Sequence, residues 1–192
     1  GRAKTTPVQW QELSVPESRR PPALLAALLH KESLVRWIPI PLSSKRKALK
    51  VLPSLLDIQL PFPLEECTWS FPAVRSTPEG QLRGLAVVAR QRDIRKRLEL
   101  LREKNIDAVV LDQESLALWT QCWDEIPEPM PGVPSSPTRC VVYLGADRTT
   151  VVVGQDREFL ASLSMKTFSA DAIGRWLFAQ LGEGFTGPIQ WC

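Results

Sequence analysis

The sequence predicts a mixed fold, α+β in its first part and α/β in its second. Residues 34–111 alternate between strand and helix patterns in the order strand, helix, strand, strand, helix, strand, which is typical of one compact α+β unit with a four-stranded sheet. Residues 139–164 then supply consecutive strand patterns joined by short turns that contain Gly and Asp. The hydrophobic content, 44% of 192 residues, is enough to bury a core.

Residues 1–33 are predicted to be a polar arm followed by a short helix. The arm carries one strand pattern at 8–15 and ends in Pro21 and Pro22, which suit the entrance of a helix. The helix is predicted because four leucines then keep helical spacing. They are Leu24, Leu25, Leu28 and Leu29.

A strand at 34–38, stopping at Pro39, is followed by a helix that Ser43 or Ser44 can cap. Pro53 lies inside this helix, where it removes a backbone donor and could kink or divide it; we expect one helix with a bend. Apolar residues define the buried side of the helix. They are Ala48, Leu49, Leu52, Leu55, Leu56 and Leu60.

A hairpin is predicted next. In residues 67–71 the period of two places Trp69 and Phe71 on one face of a strand. Pro72 cannot donate to a ladder, so this strand is expected to lie at a sheet edge or to end there. Its partner, residues 81–89, ends in a continuous apolar run, which predicts a strand covered on both sides.

Two further helices frame the last strand of this unit. Residues 91–105 repeat Ile94, Leu98 and Leu101 at helical spacing, and Asn105 suits the C-terminal cap. Residues 108–111 predict a short buried strand, and residues 114–125 a helix that carries Leu116, Trp119 and Trp123. The helical spacing of the two tryptophans favours a place in the core.

The proline-rich stretch 127–138 has no apolar period and is predicted to be an exposed connection between two units. Beyond it lie the hairpin strands, a helix at 169–181 and the beginning of a strand at 190–192. We therefore divide the chain into segments 1–33, 34–126, 127–138 and 139–192. The parent protein is expected to continue beyond both ends.

Several functional classes find no support in the sequence. Four widely spaced cysteines and one histidine do not have the spacing of a metal site, and His30 has no nucleophile or acid at motif spacing. No run is long enough to span a membrane. The basic helix face at 90–104 is compatible with nucleic acid or acidic lipid, but the interspersed Glu99 and Glu103 favour a solvated surface.

The ordered motifs resemble an actin-like (ribonuclease H-like) protein of the FtsA/PilM type, and most of all PilM of type IV pilus assembly and the cytoplasmic domain of GspL of type II secretion. The resemblance covers residues 34–168. It is carried by Ile38–Pro41, Asp57–Glu66, Ala86–Arg90, Asn105–Asp112 and Leu144–Thr150.

The resemblance implies a fragment of that fold with the α+β unit inserted as a subdomain. It implies a scaffold in the cytoplasm, peripheral to the bacterial inner membrane, with a groove that takes the cytoplasmic tail of a bitopic, PilN-like partner. Self-association is compatible with it, whereas nucleic acid and direct membrane insertion are not expected. The partner surface is expected at Trp69 and Phe71, with Arg36 and Arg90 as charge partners.

Members of this family that keep both phosphate loops bind ATP. In this chain the second loop keeps Gly145, Asp147, Thr149 and Thr150 as candidate phosphate contacts, with backbone N–H groups near Gly145 and the two hydroxyls as neutral donors, but Tyr143 stands where an acid is expected. A phenol stays neutral near pH 7 and is a poor magnesium anchor. We therefore expect no cofactor, no metal and no ATP turnover, and a plain hairpin remains an alternative. The alternative function is an ATPase whose first loop lies outside residues 1–192.

Overall fold

The structure is a computed structural model, and it describes residues 24–77, 80–122, 138–182, 187 and 189–191. The strands are β1 (Leu25–Leu28), β2 (Ser33–Ile40), β3 (Cys67–Ser76), β4 (Leu82–Arg90), β5 (Val110–Gln113), β6 (Arg139–Leu144), β7 (Thr149–Gln155), β8 (Glu158–Met165) and β9 (Ile189–Trp191). The helices are α1 (Lys45–Asp57), α2 (Gln91–Glu103), α3 (Glu114–Gln121) and α4 (Ala170–Leu181). Short 3-10 helices lie at His30–Glu32 and Leu64–Glu66.

Three sequence predictions fall outside the described residues: the strand at 8–15, Trp123, and nearly all of the proline-rich connection. The part of the chain that the structure describes contains no helix long and apolar enough to cross a membrane.

The first sheet has the order β2-β4-β3 and is antiparallel throughout. The predicted hairpin of β3 and β4 is confirmed, with β4 buried in the centre and β3 at an edge. The prediction of four strands is wrong for the described residues. The strand expected to complete the sheet lies at Val110–Gln113 and pairs with β1 instead.

The helix predicted at Leu24–Leu29 is wrong, because the segment forms β1. β1 runs parallel to β5, with Leu25 opposite Val110 and Leu28 opposite Gln113. This long-range ladder satisfies the backbone polar groups, so tertiary pairing overrides the helical spacing of the leucines. The expectation that the strand of Ala108–Leu111 is buried also fails, since Val109 is 67% and Val110 47% exposed.

Helix α1 continues through Pro53 without being divided. Its Ala48, Leu52 and Leu56 are fully buried against the first sheet. Burying two leucine side chains stabilises the folded chain by about 3–6 kcal/mol, which offsets the roughly 3 kcal/mol that an interior proline costs the helix. Leu49, predicted on the buried side, is 52% exposed.

Helix α2 ends as predicted around Asn105, which adopts a left-handed φ of 57°. The Ile106 N–H donates to the Leu101 carbonyl and the Asn105 N–H to the Arg102 carbonyl, each at 2.9 Å. This is the Schellman arrangement, in which Asn is accepted where the left-handed conformation is needed.

The second sheet has the order β8-β7-β6-β9, and its hairpin strands and the helix α4 confirm the predictions for residues 139–181. Helix α4 covers one face with Ile173 and Leu177. On the other face Trp119 of α3 packs with Val141, Val152 and Phe159. The same cluster includes Leu85 of the first sheet, so α3 joins the two sheets through one core.

Candidate functional site

Strand β3 presents an open edge with aromatic side chains. Among the described residues it pairs only with β4, so one row of its backbone N–H and C=O groups has no strand beside it. Trp69 is 39% exposed, and its ring centroid lies 5.4 Å from that of the half-buried Phe71. The register shifts between Ser70 and Ala73, around Pro72.

Three of the four residues predicted to contact a partner, Trp69, Phe71 and Arg90, lie near one another, since Arg90 on β4 is opposite Cys67, two residues along β3 from Trp69. Arg36 is exposed on β2, on the far side of β4 from Trp69. Arg90 is held by Asp93, with 2.9 Å between Nε and Oδ2, and its guanidinium lies 5.2 Å from the Phe62 ring centroid. Arg36 is therefore too far from the aromatic pair to share a partner surface with it, and Arg90 is close to the pair but already engaged by Asp93.

A cavity of about 300 Å³ lies behind β3, between the first sheet, α3 and the turn between β7 and β8. The Trp37 Nε1–H donates to the Phe159 carbonyl at 2.9 Å, and Arg83 pairs with Glu158 at 2.7 Å. These two contacts join β2 and β4 to the beginning of β8. The cavity is lined by Trp37, Pro72, Ala73, Arg75, Leu85, Asp112, Leu116, Trp119, Thr120, Arg157, Glu158 and Phe159.

Two residues that line the cavity carry a polar group without a partner among the described residues. Trp119 is only 2% exposed, yet its Nε1–H has no hydrogen-bond partner among the described residues. Arg75, on β3, is exposed and forms no ion pair with any described residue; it lies directly across from Arg83, which Glu158 already neutralises. The sequence predicted Trp119 in the core but gave no sign of the cavity, because its walls come from segments far apart in the chain.

In the hairpin predicted to hold phosphate, the glycine N–H is already engaged and the two threonines are buried. The Gly145 N–H donates to the Arg148 carbonyl at 2.8 Å. The Tyr143 ring covers the same glycine, since a Cβ at Gly145 would lie 3.1 Å from Tyr143 Cε1. Thr149 and Thr150 are 4% and 1% exposed, whereas Asp147 is exposed in the turn.

His30 has partners that the sequence did not reveal. Its Nδ1 lies 3.0 Å from Ser115 Oγ and 3.4 Å from Ser162 Oγ, 85 and 132 residues away in the chain. Its backbone N–H donates to the Glu114 carboxylate at 2.8 Å. Burial lowers the pKa of His30 below 6.5, although Glu114 opposes this shift. The ring therefore links the 3-10 helix to α3 and β8 as a neutral group.

No cluster of metal-ligating side chains is found among the described residues. Cys67, Cys122 and Cys140 are buried free thiols. Burial raises the pKa of the Cys140 thiol to about 11, which makes it a poor nucleophile.

No protein-family model matches the chain, and no curated protein is detectably similar to it in sequence. Among solved structures, the PilM–PilN type IV pilus biogenesis complex matches with a TM-score of 0.57 and 21% identity over 84% of this chain and 47% of the matched chain. The cytoplasmic domain of EpsL, an inner-membrane component of the type II secretion system of Vibrio cholerae, matches with a TM-score of 0.58 and 18% identity over 88% of this chain and 60% of the other.

The chain thus spans about half of the first matched protein and 60% of the second. At these identities the likeness establishes the fold, and the predicted fold of the PilM and GspL kind is confirmed. A protein of unknown function with an actin-like ATPase fold, from Bacteroides thetaiotaomicron, matches over 88% of this chain and 59% of its own at 9% identity, but its TM-score of 0.45 is too low to support an argument.

Proposed function

We propose that this chain belongs to a non-enzymatic scaffold of a type IV pilus or type II secretion assembly, on the cytoplasmic side of the bacterial inner membrane. It holds the cytoplasmic segment of a membrane-anchored, PilN-like partner. The observation that carries the proposal is the open, aromatic edge of β3, in a fold shared with PilM of a PilM–PilN complex and with the cytoplasmic domain of EpsL.

The edge of β3 accounts for how such a segment is held. An extended segment forms main-chain hydrogen bonds with β3, and its side chains cover Trp69 and Phe71. Pro72 has no N–H and lies where the register shifts, so the ladder forms on either side of it. Backbone bonds alone do not distinguish sequences; the aromatic pair supplies the apolar anchor that gives affinity.

The phosphate hairpin supports the non-enzymatic part of the proposal. A phosphate at Gly145 has to displace both the Arg148 carbonyl from the glycine N–H and the Tyr143 ring from above it. The buried hydroxyls of Thr149 and Thr150 are not accessible without opening the strand. Tyr143 stands where the metal-anchoring carboxylate is expected, and a neutral phenol is a poor ligand for magnesium.

The test is the binding of a fluorescently labelled cytoplasmic segment of the PilN-like membrane protein from the same organism, followed by anisotropy. Trp69→Ala should weaken binding by about 30-fold, the loss expected for an aromatic hot spot worth about 2 kcal/mol. Phe178→Ala removes an exposed aromatic ring from α4 and serves as the matched control. Equal affinity of Trp69→Ala and the intact chain contradicts the proposed surface.

A second measurement tests the absence of nucleotide chemistry. A fluorescent ATP analogue is titrated into the chain with and without Mg²⁺, and no magnesium-dependent binding is expected. Saturable binding that requires Mg²⁺ would overturn the non-enzymatic assignment and favour an ATPase.

A further inference from the structure

Helix α1 begins with four cations that no acidic group of the described chain neutralises. Lys45, Arg46, Lys47 and Lys50 are all exposed, and none of them forms an ion pair with a described residue. The only acidic residue of the helix is Asp57 at its other end, about 18 Å along the axis from Lys45. The start of α1 is therefore a surface of one charge sign, which we call the basic patch.

The stability of the helix does not explain the basic patch. The positive end of the helix dipole lies at the N-terminus, so cations in the first turn are unfavourable there. Arg46 and Lys50 lie one turn apart on the helix, where like charges repel each other. Ser44, at the N-cap position, makes no side-chain capping bond that would compensate. The benefit of these cations is thus to be sought outside the folded chain.

The other basic helix, α2, differs because its cations are partly neutralised. Arg97 donates to the Glu32 carboxylate at 2.7 Å, and Arg92 lies 3.8 Å from Asp93. Further glutamates are interspersed along the same helix. α2 is therefore a surface of mixed charge and provides a matched control for α1.

We infer that the basic patch binds the anionic phospholipid surface of the inner membrane, as a surface contact without insertion. The proposed function, on which this inference rests, places the chain beside that membrane, and the cytoplasmic leaflet carries anionic lipid. Each exposed Lys or Arg close to such a surface adds to the attraction, and the four cations act together because they share one end of one helix.

Apolar groups beside the cations favour lipid over nucleic acid or an acidic peptide. Leu49 is 52% exposed in the middle of the basic patch. Pro39, Pro41 and Leu42 line an open depression of about 510 Å³ just before the helix begins. Cations next to exposed apolar side chains suit the boundary between headgroups and acyl chains. α1 carries no aromatic residue on which a nucleic-acid base would stack.

The position of α1 in the fold is compatible with simultaneous binding of the partner segment. α1 covers one face of the first sheet, and α3 and the second sheet lie on the other. Trp69 lies opposite Val88, which packs beneath α1, so Trp69 is on the α1 side of the sheet. A chain docked through the basic patch therefore presents the edge of β3 to a segment that emerges from the same membrane.

The test is co-sedimentation of the chain with lipid vesicles. The probe is phosphatidylcholine vesicles with about one-third phosphatidylglycerol, and pure phosphatidylcholine vesicles are the neutral reference. The chain should bind the anionic vesicles, less so as salt is added, and should not bind the neutral ones. Arg46→Gln/Lys50→Gln should weaken this binding by about 30-fold, since each cation near an anionic surface contributes about five-fold.

The matched control removes the same two residue types at the same spacing from α2. Arg92→Gln/Lys96→Gln lowers the net charge of the chain equally but should leave vesicle binding close to that of the intact chain. Thermal unfolding supplies a second readout. Because Arg46→Gln/Lys50→Gln relieves repulsion at the start of α1, its unfolding midpoint should not fall, so its loss of vesicle binding is not a loss of folding.

Three results would overturn the inference. They are equal binding to anionic and neutral vesicles, an equal loss of binding for the α1 and α2 variants, and α1-dependent binding to duplex DNA or polyglutamate without binding to anionic vesicles.

Vesicle binding and partner binding are separate measurements. A chain that binds anionic vesicles through α1 but shows no Trp69-dependent binding of the partner segment refutes only the proposed function. A chain that binds the segment through Trp69 but does not bind anionic vesicles refutes only the role of the basic patch.

Discussion

The packing of Trp119 against Gly154 provides a sharp test of how the site is built. A Cβ at position 154 would overlap the Trp119 ring and lie 2.6 Å from the Glu158 carbonyl oxygen. Trp119 is buried between α3 and the second sheet, and the Glu158 carbonyl belongs to the strand beside it, so neither neighbour can move independently. Gly154→Ala should therefore destabilise the chain at the upper end of the overpacking range, by about 3 kcal/mol.

This loss of stability is measured as a shift in the midpoint of thermal unfolding, which is monitored by circular dichroism. For a chain of this size each kcal/mol corresponds to about 2–4 °C, so the midpoint should fall by about 6–12 °C.

Two other glycines act as matched controls. A Cβ at Gly84 would meet the terminal methyl carbons of Leu52 at 2.8 and 2.9 Å, and because a flexible side chain can rotate away, Gly84→Ala should cost about 1 kcal/mol. A Cβ at Gly174, within α4, meets nothing within 4 Å, so Gly174→Ala should stabilise by about 0.5–1 kcal/mol through helix propensity. A loss for Gly154→Ala no larger than that for Gly84→Ala would refute the reasoning.

Three further predictions concern single residues. Asn105→Ala should lower the free energy of unfolding in urea by about 1 kcal/mol and Asn105→Gly should not, because the left-handed φ of 57° is accepted by Asn and Gly but disfavoured for Ala. Equal effects of the two substitutions would contradict this account. Burial lowers the pKa of His30 below 6.5, so its contribution to stability is present above pH 6.5 and is lost as the pH falls through the folded value. His30→Gln should therefore flatten the fall in stability below pH 6.5, measured by urea unfolding at a series of pH values. Cys140, with a thiol pKa of about 11, should resist alkylation at about pH 8 until urea unfolds the chain, as mass spectrometry of its peptide would show.

Local patterns were sufficient for most of the elements. The period of two in β3 and the continuous apolar run of β4 predicted both strands and their pairing, because adjacent strands joined by a short turn need no distant partner. The edge position of β3 followed from Pro72 alone, and the helix α4 from the spacing of Ile173 and Leu177. The substitution of Tyr143 for an acid was likewise visible in the sequence.

The candidate site was predictable only in part. Trp69 and Phe71 share a face because of strand geometry, and the structure confirms their contact. Arg36 was placed with them because of its charge, but β4 separates the two edge strands. The contribution of these residues to partner binding, and that of Gly145, Asp147, Thr149 and Thr150 to phosphate binding, stays a prediction.

The sequence by itself determined most of the segments that are extended or helical, and that the phosphate hairpin lacks its acid, since each of these depends on residues within a few positions of one another. Only the tertiary structure decided that Leu25–Leu28 is a strand, that His30 contacts two serines, and that Trp37, Trp119 and Phe159 enclose a cavity. The reason is physical: these features depend on which distant segments satisfy each other's backbone groups and apolar surfaces, and no local periodicity specifies that choice.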